Sequence, residues 1–137
     1  MKQLAMAAVV IAALLSTLLP AQSFDLRANI PFAFRVGQTQ LPAGEYSIVH
    51  RGDGPTILQE ANGHHAAMIA FGVGQERSSR RTTGALEFNR YGENYFLAEV
   101  WPPYSQRGVT LPKSRKETEL ARRFTPSQTV GIALQRK

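Results

Sequence analysis

The chain contains no cysteine. That absence excludes thiol nucleophiles, thiolate metal centres, disulfide exchange and a lipid-modified cysteine at the N-terminus, and it means that any exported domain here must rest on its core alone. A phosphate-binding glycine loop, a dinucleotide fingerprint and a Gly-x-Ser-x-Gly elbow are equally absent. After the first segment there is no second long apolar run, so nothing further is expected to cross a bilayer, which takes about 20 apolar residues. Low-complexity tracts and linkers are missing too, and the length beyond the leader is one domain's worth.

What the chain does have begins with that leader. Met1-Lys2 supplies a positive start, Leu4 to Leu19 is apolar apart from Ser16 and Thr17, and Pro20-Ala21-Gln22-Ser23 brings a break with small residues. Ala21 and Ser23 fit the small-x-small pattern of a signal-peptidase site. Residues 1–23 are read as a cleaved signal peptide, with a cut after Ala21 as the second choice, and 24–137 as a single β-rich domain. A retained anchor is the competing reading, but the apolar run is short for a span and its flanks are weak. The expected location is therefore outside the cytoplasm, periplasmic or secreted.

From Phe24 to Val36 the residues alternate. Phe24, Leu26, Ala28, Ile30, Phe32, Phe34 and Val36 share one side of a strand pattern. Pro31 cannot donate to a ladder and is expected to split the run or bulge it. Turns are expected at Leu41-Pro42-Ala43-Gly44, at Gly52-Asp53-Gly54-Pro55 and at Asn62-Gly63. Strands are expected at Glu45–Arg51, Thr56–Glu60, His65–Val73, Thr83–Tyr91, Tyr95–Trp101 and Thr129–Gln135. The stretch His65–Val73, apolar on both faces, reads as a central covered strand, and Gly74–Arg81 as a polar loop. Ser114-Arg115-Lys116-Glu117 matches a capping box for a short helix, Arg115–Arg123, with Leu120, Ala121 and Phe124 inward. The fold class that follows is all-β, a small antiparallel sandwich or barrel with one short helix in the C-terminal region.

Four segments carry a resemblance: Pro31-Phe32-x-Phe34-x-Val36, Leu41-Pro42-Ala43-Gly44-x-Tyr46, Tyr95-Phe96-Leu97 through Trp101, and Leu111-Pro112-x-Ser114 running to Glu119-Leu120-Ala121-Arg122. Together they resemble a family of small exported bacterial proteins of uncharacterised activity. The resemblance spans nearly all of the chain after the leader. It implies export and a β-rich domain, and it brings no activity with it.

The chain is basic, 16 Lys and Arg against 10 Asp and Glu; with Lys2 set aside, the domain carries about +5. Arg77, Arg80 and Arg81 crowd one segment, and Lys113, Arg115 and Lys116 precede the helix. Guanidinium groups suit bidentate contact with carboxylate or phosphate. Trp101 and Tyr104 lie between the clusters and can offer stacking faces, the alternative for Trp101 being a place in the core. These eight residues are the candidate ligand-binding set, and an anionic envelope polymer or glycan is the expected partner. Export argues against nucleic acid. The simpler reading of the charge is that it confers solubility alone.

Other chemistry is thinner. His64-His65, with His50 as a third ligand, is the metal candidate, but adjacent strand residues face opposite ways and no carboxylate of matching spacing stands near. Glu87 and Glu99 could approach across a hairpin as a hydrolytic carboxylate pair, against the ordinary reading of exposed strand glutamates. Ser78-Ser79 has no positioned base. The main expectation is a non-enzymatic exported binding or scaffolding domain with no cofactor. The alternative is a β-barrel carrier whose interior, lined by Phe32, Phe34, Met68 and Phe71, holds an apolar ligand.

Overall fold

The computed structural model describes residues 23–52, 54–69, 73–76, 82–124 and 128–136. Eleven strands and one helix follow in order: β1 (Phe24–Ile30), β2 (Phe34–Val36), β3 (Thr39–Leu41), β4 (Gly44–His50), β5 (Thr56–Glu60), β6 (Ala66–Ile69), β7 (Val73–Glu76), β8 (Gly84–Tyr91), β9 (Asn94–Trp101), β10 (Arg107–Thr110), α1 (Arg115–Arg123) and β11 (Gln128–Arg136). The strands form one sheet in the order β3-β2-β9-β8-β11-β1-β4-β5-β6, with β10 against β9 and β7 against β10. The Cα atoms of β6 come within 8 Å of those of β2 and β3, so the sheet curls into a nearly closed barrel. The fold is all-β with a single short helix among the described residues. Every pairing is antiparallel except that of β2 with β9, where Arg35 lies beside Phe96.

Alternation explains the inside of this barrel. Leu26, Ala28 and Ile30 of β1 are buried and Asp25, Arg27 and Asn29 are not. Pro31 ends β1, and the same parity resumes at Phe34 and Val36. The Phe34 ring packs edge-on to Tyr46 and Phe88 at 5.2 and 5.4 Å between centroids, in the offset geometry aromatic quadrupoles favour. Phe32 stacks on Tyr95 at 3.8 Å and meets Phe88 edge-on. The barrel interior is thus filled by side chains at this level.

A bulge resets parity on β9. Glu99 pairs with Glu87 while Leu97 pairs with Phe88, so Ala98 is the extra residue and both Leu97 and Val100 face the core. Trp101, Phe96 and Tyr91 are also buried but lie outside the main cluster. They form a second apolar layer on the other face of β8 and β9. The helix α1 covers part of that layer through Glu117, whose Oε2 accepts from Asn89 Nδ2 at 2.9 Å and Tyr91 Oη at 2.8 Å.

Four expectations need correction. Of the stretch read as a central strand, Ala66–Ile69 forms β6, which among the described residues pairs with β5 alone; Met68 there is 61% exposed, 70–72 lie outside the described residues, and Val73 opens β7. The start of the supposed polar loop is β7, because β10 gives it a partner along Arg107–Thr110. The Ser114 hydroxyl accepts from the Glu117 N–H as a capping box requires, but the Glu117 carboxylate turns to the sheet. Glu117 is accordingly the buried residue of the helix, at 3% exposure, whereas Phe124 is 42% exposed with its ring over Gly92.

Candidate functional site

Antiparallel pairing gathers the ends of several strands at one end of the barrel. Phe24 at the start of β1 pairs with His50 at the end of β4, and His50 pairs in turn with Thr56 at the start of β5. Arg136, at the end of β11, pairs with Leu26. From the other side come the end of β9, the loop Pro102-Pro103-Tyr104-Ser105 and the start of β10 at Arg107. Between them lies a cleft of about 700 Å³.

The loop is shaped by its prolines. Pro102-Pro103 stops β9, and Gly84 lies so close beneath that a Cβ there would sit 2.5 Å from the Trp101 carbonyl oxygen. Tyr104 then takes a left-handed backbone at φ 58, which a bulky side chain seldom adopts. Ser105 Oγ accepts from the Arg107 N–H and donates to the Arg107 carbonyl, both at 3.0 Å. The result holds the Tyr104 ring out at 58% exposure. The Arg136 guanidinium carbon stands 5.3 Å from its centroid, within cation–π range.

The rest of the lining adds charge and a second aromatic face. Phe24 stacks on the His50 imidazole, 5.2 Å apart and 25° from parallel. Thr56 Oγ1 lies 3.3 Å from His50 Nδ1. Arg107 and Glu76 approach to 3.7 Å, both well exposed, a pairing of little energetic weight. Asp25 also lines the cleft. An aromatic platform flanked by two guanidinium groups can take a flat or ring-shaped ligand that bears negative charge.

The sequence candidates fall in different places. Tyr104 is in the cleft. Trp101 is not available as a platform: it is 3% exposed, its indole lies flat on Gly108, and its Nε1–H donates to Glu99 Oε2 at 2.6 Å. Arg115 and Lys116, joined by Arg35 from β2, line a separate groove of about 340 Å³ at the start of α1, and Lys113 is exposed just before it. Arg77, Arg80 and Arg81 lie outside the described residues. His65 Nδ1 pairs with Glu60 Oε2 and His64 lies in the turn, bonded through its backbone N–H to Asn62, so the histidines do not converge. Glu87 and Glu99 are directly opposite, with Glu99 held by the indole. Of the four residues proposed to line a carrier lumen, Phe34 is packed in the core, Phe32 is partly buried against it, Met68 faces outward and Phe71 lies outside the described residues.

Phe24, Arg107 and Arg136 were not among the sequence candidates, and His50 was considered only as a metal ligand. They are distant in the chain, and only the strand register brings them together; an expectation that β1 and β4 are antiparallel neighbours, with the first residue of one beside the last of the other, would have pointed to Phe24 and His50. No protein-family model, curated protein or solved structure matches the chain.

Proposed function

We propose that this is an exported, non-enzymatic domain that binds an acidic glycan of the cell envelope in the cleft at Tyr104, after removal of residues 1–23. The observation that carries the reading is the Tyr104 ring itself. It is held exposed on a strained backbone, in contact with the Arg136 guanidinium, at a cleft that Arg107 also lines. Backbone strain persists where surrounding structure over-determines it, and such places cluster at ligand clamps. The exposed ring suits the apolar face of a sugar, and the guanidinium groups suit its carboxylates. The basic balance of the chain would draw polyanions toward this face. Periplasm or the cell exterior is the location in which such a polymer would be met, and the resemblance to small exported bacterial proteins supports that part of the reading.

The test is calorimetric titration of residues 24–137 with a galacturonic acid trimer and with a neutral trimer of matching size, each in low and high salt. Binding of the acidic trimer alone, weakened by salt, is the expected result. Equal binding of both, or none of the acidic trimer, overturns the reading. A salt-insensitive interaction with a fatty acid in the same assay would establish the carrier instead.

A further inference from the structure

We propose that leader removal completes the cleft by creating a third fixed cation within it, the α-ammonium group of Phe24; the inference rests on the acidic-ligand reading above. Ser23 and Phe24 are themselves part of the cleft wall. Phe24 does not trail into solvent. Its Cα is paired with His50 in the ladder and its ring is stacked on the His50 imidazole, so a charge placed on its nitrogen has a defined position. In the uncut chain that nitrogen is a neutral amide. Hydrolysis of the Ser23–Phe24 bond consumes one water, leaves a carboxylate on the departing leader and leaves an ammonium group on the domain.

The charge balance makes this consequential. The ionisable groups that line the cleft with Phe24 are Asp25 on the same strand, His50 from β4, Tyr104 from the loop, Arg107 from β10 and Arg136 from β11. Asp25 offsets one of the two guanidinium groups toward an incoming anion, and Glu76, 3.7 Å from Arg107 at the rim, draws on the other. The new ammonium restores the excess, with an ordinary pKa of about 8 that keeps it charged at neutral pH. The cut gives up the hydrogen bond from the Gly52 N–H to Ser23 Oγ, 3.2 Å long on an exposed turn. Among the described residues, the buried apolar ones all lie at Leu26 or beyond.

Two preparations decide the matter: residues 24–137 with a free α-amine, and the same protein acetylated at that amine, with matching melting temperatures as the check on folding. Affinity for the galacturonic acid trimer at pH 6.5 and low salt should fall roughly five- to tenfold on acetylation, the effect of one unit charge at close range in partly solvated surroundings. The difference should close above about pH 9, where the free amine is neutral. Equal affinity of the two forms at pH 6.5 overturns the inference while the glycan reading stands. Failure of both forms to bind overturns that reading and this inference with it. The exported protein's intact mass gives a second check, since a chain starting at Phe24 is required and one starting at Gln22 overturns the proposal.

Discussion

The Tyr91 phenol donates to Glu117 Oε2 at 2.8 Å, and through this buried bond α1 is tied to the outer face of β8. Asn89 donates to the same oxygen. Glu117→Ala would strand both donors, and an unsatisfied buried polar group costs about 1–3 kcal/mol. The melting temperature should drop by several degrees, since each kcal/mol is worth about 4 °C in a domain of this size. Glu117→Gln keeps an acceptor at the same place and should lose clearly less. Scanning calorimetry of the two variants checks the order.

Gly108 is held against Trp101: a Cβ there would lie 2.5 Å from the indole Cε3. Gly108→Ala should force the ring or β10 to shift, with a cost of about 1–3 kcal/mol for overpacking. Because the indole Nε1–H also bonds Glu99, displacement should show as a change in tryptophan fluorescence. The chain has a single tryptophan, so the signal is unambiguous.

Tyr46 is buried, donates to the Pro42 carbonyl at 2.6 Å, and has its pKa pushed from 10.0 up to about 12, by burial first and by the Glu60 carboxylate second. The native state therefore holds that proton more tightly than the unfolded chain. Stability linked to this group should be intact below about pH 10 and lost progressively as pH rises toward about 12. Denaturant titrations across that window check the slope. Tyr46→Phe should remove it, at a cost of about 1 kcal/mol at neutral pH for the lost hydrogen bond.

Tyr104→Gly separates binding from stability. Relief of the left-handed backbone returns about 1–2 kcal/mol, while the lost contact with Arg136 and the added freedom of the unfolded chain together cost a similar amount. The melting temperature should stay within a few degrees of the parent, yet affinity for the galacturonic acid trimer should fall at least tenfold. Arg136→Ala should weaken binding and flatten its salt dependence.

The sequence was most readable where local chemistry decides the outcome. Alternation from Phe24 to Val36 correctly assigned the core face on both sides of Pro31, and Asn62-Gly63 does turn the chain with positive φ at its glycine. Ser114 does cap the helix. Readability failed where a distant partner decides. Residues Val73–Glu76 and Arg107–Thr110 have little strand character alone and become strands by pairing with each other. Glu117 looked like half of a capping box, but two donors from β8 outbid the local backbone. Within the site, Tyr104 could be named from its neighbours in sequence, whereas Arg136 and Phe24 required the register.

Among the described residues, only two pairs, Leu26 with Arg136 and Arg27 with Gln135, join β1 to β11, and no ladder links β6 to β3 at the other end of the sheet. Mechanically, the ring is two curved plates joined by one short weld, kept shut elsewhere by packing of side chains such as Ile30 and Leu134. The cleft straddles this weld: Phe24, His50 and Thr56 stand on one plate, Tyr104 and Arg107 on the other, and Arg136 on the weld itself. A polymer seated there would act as a clasp, so that the domain would resist being pulled open most strongly while its cleft is occupied.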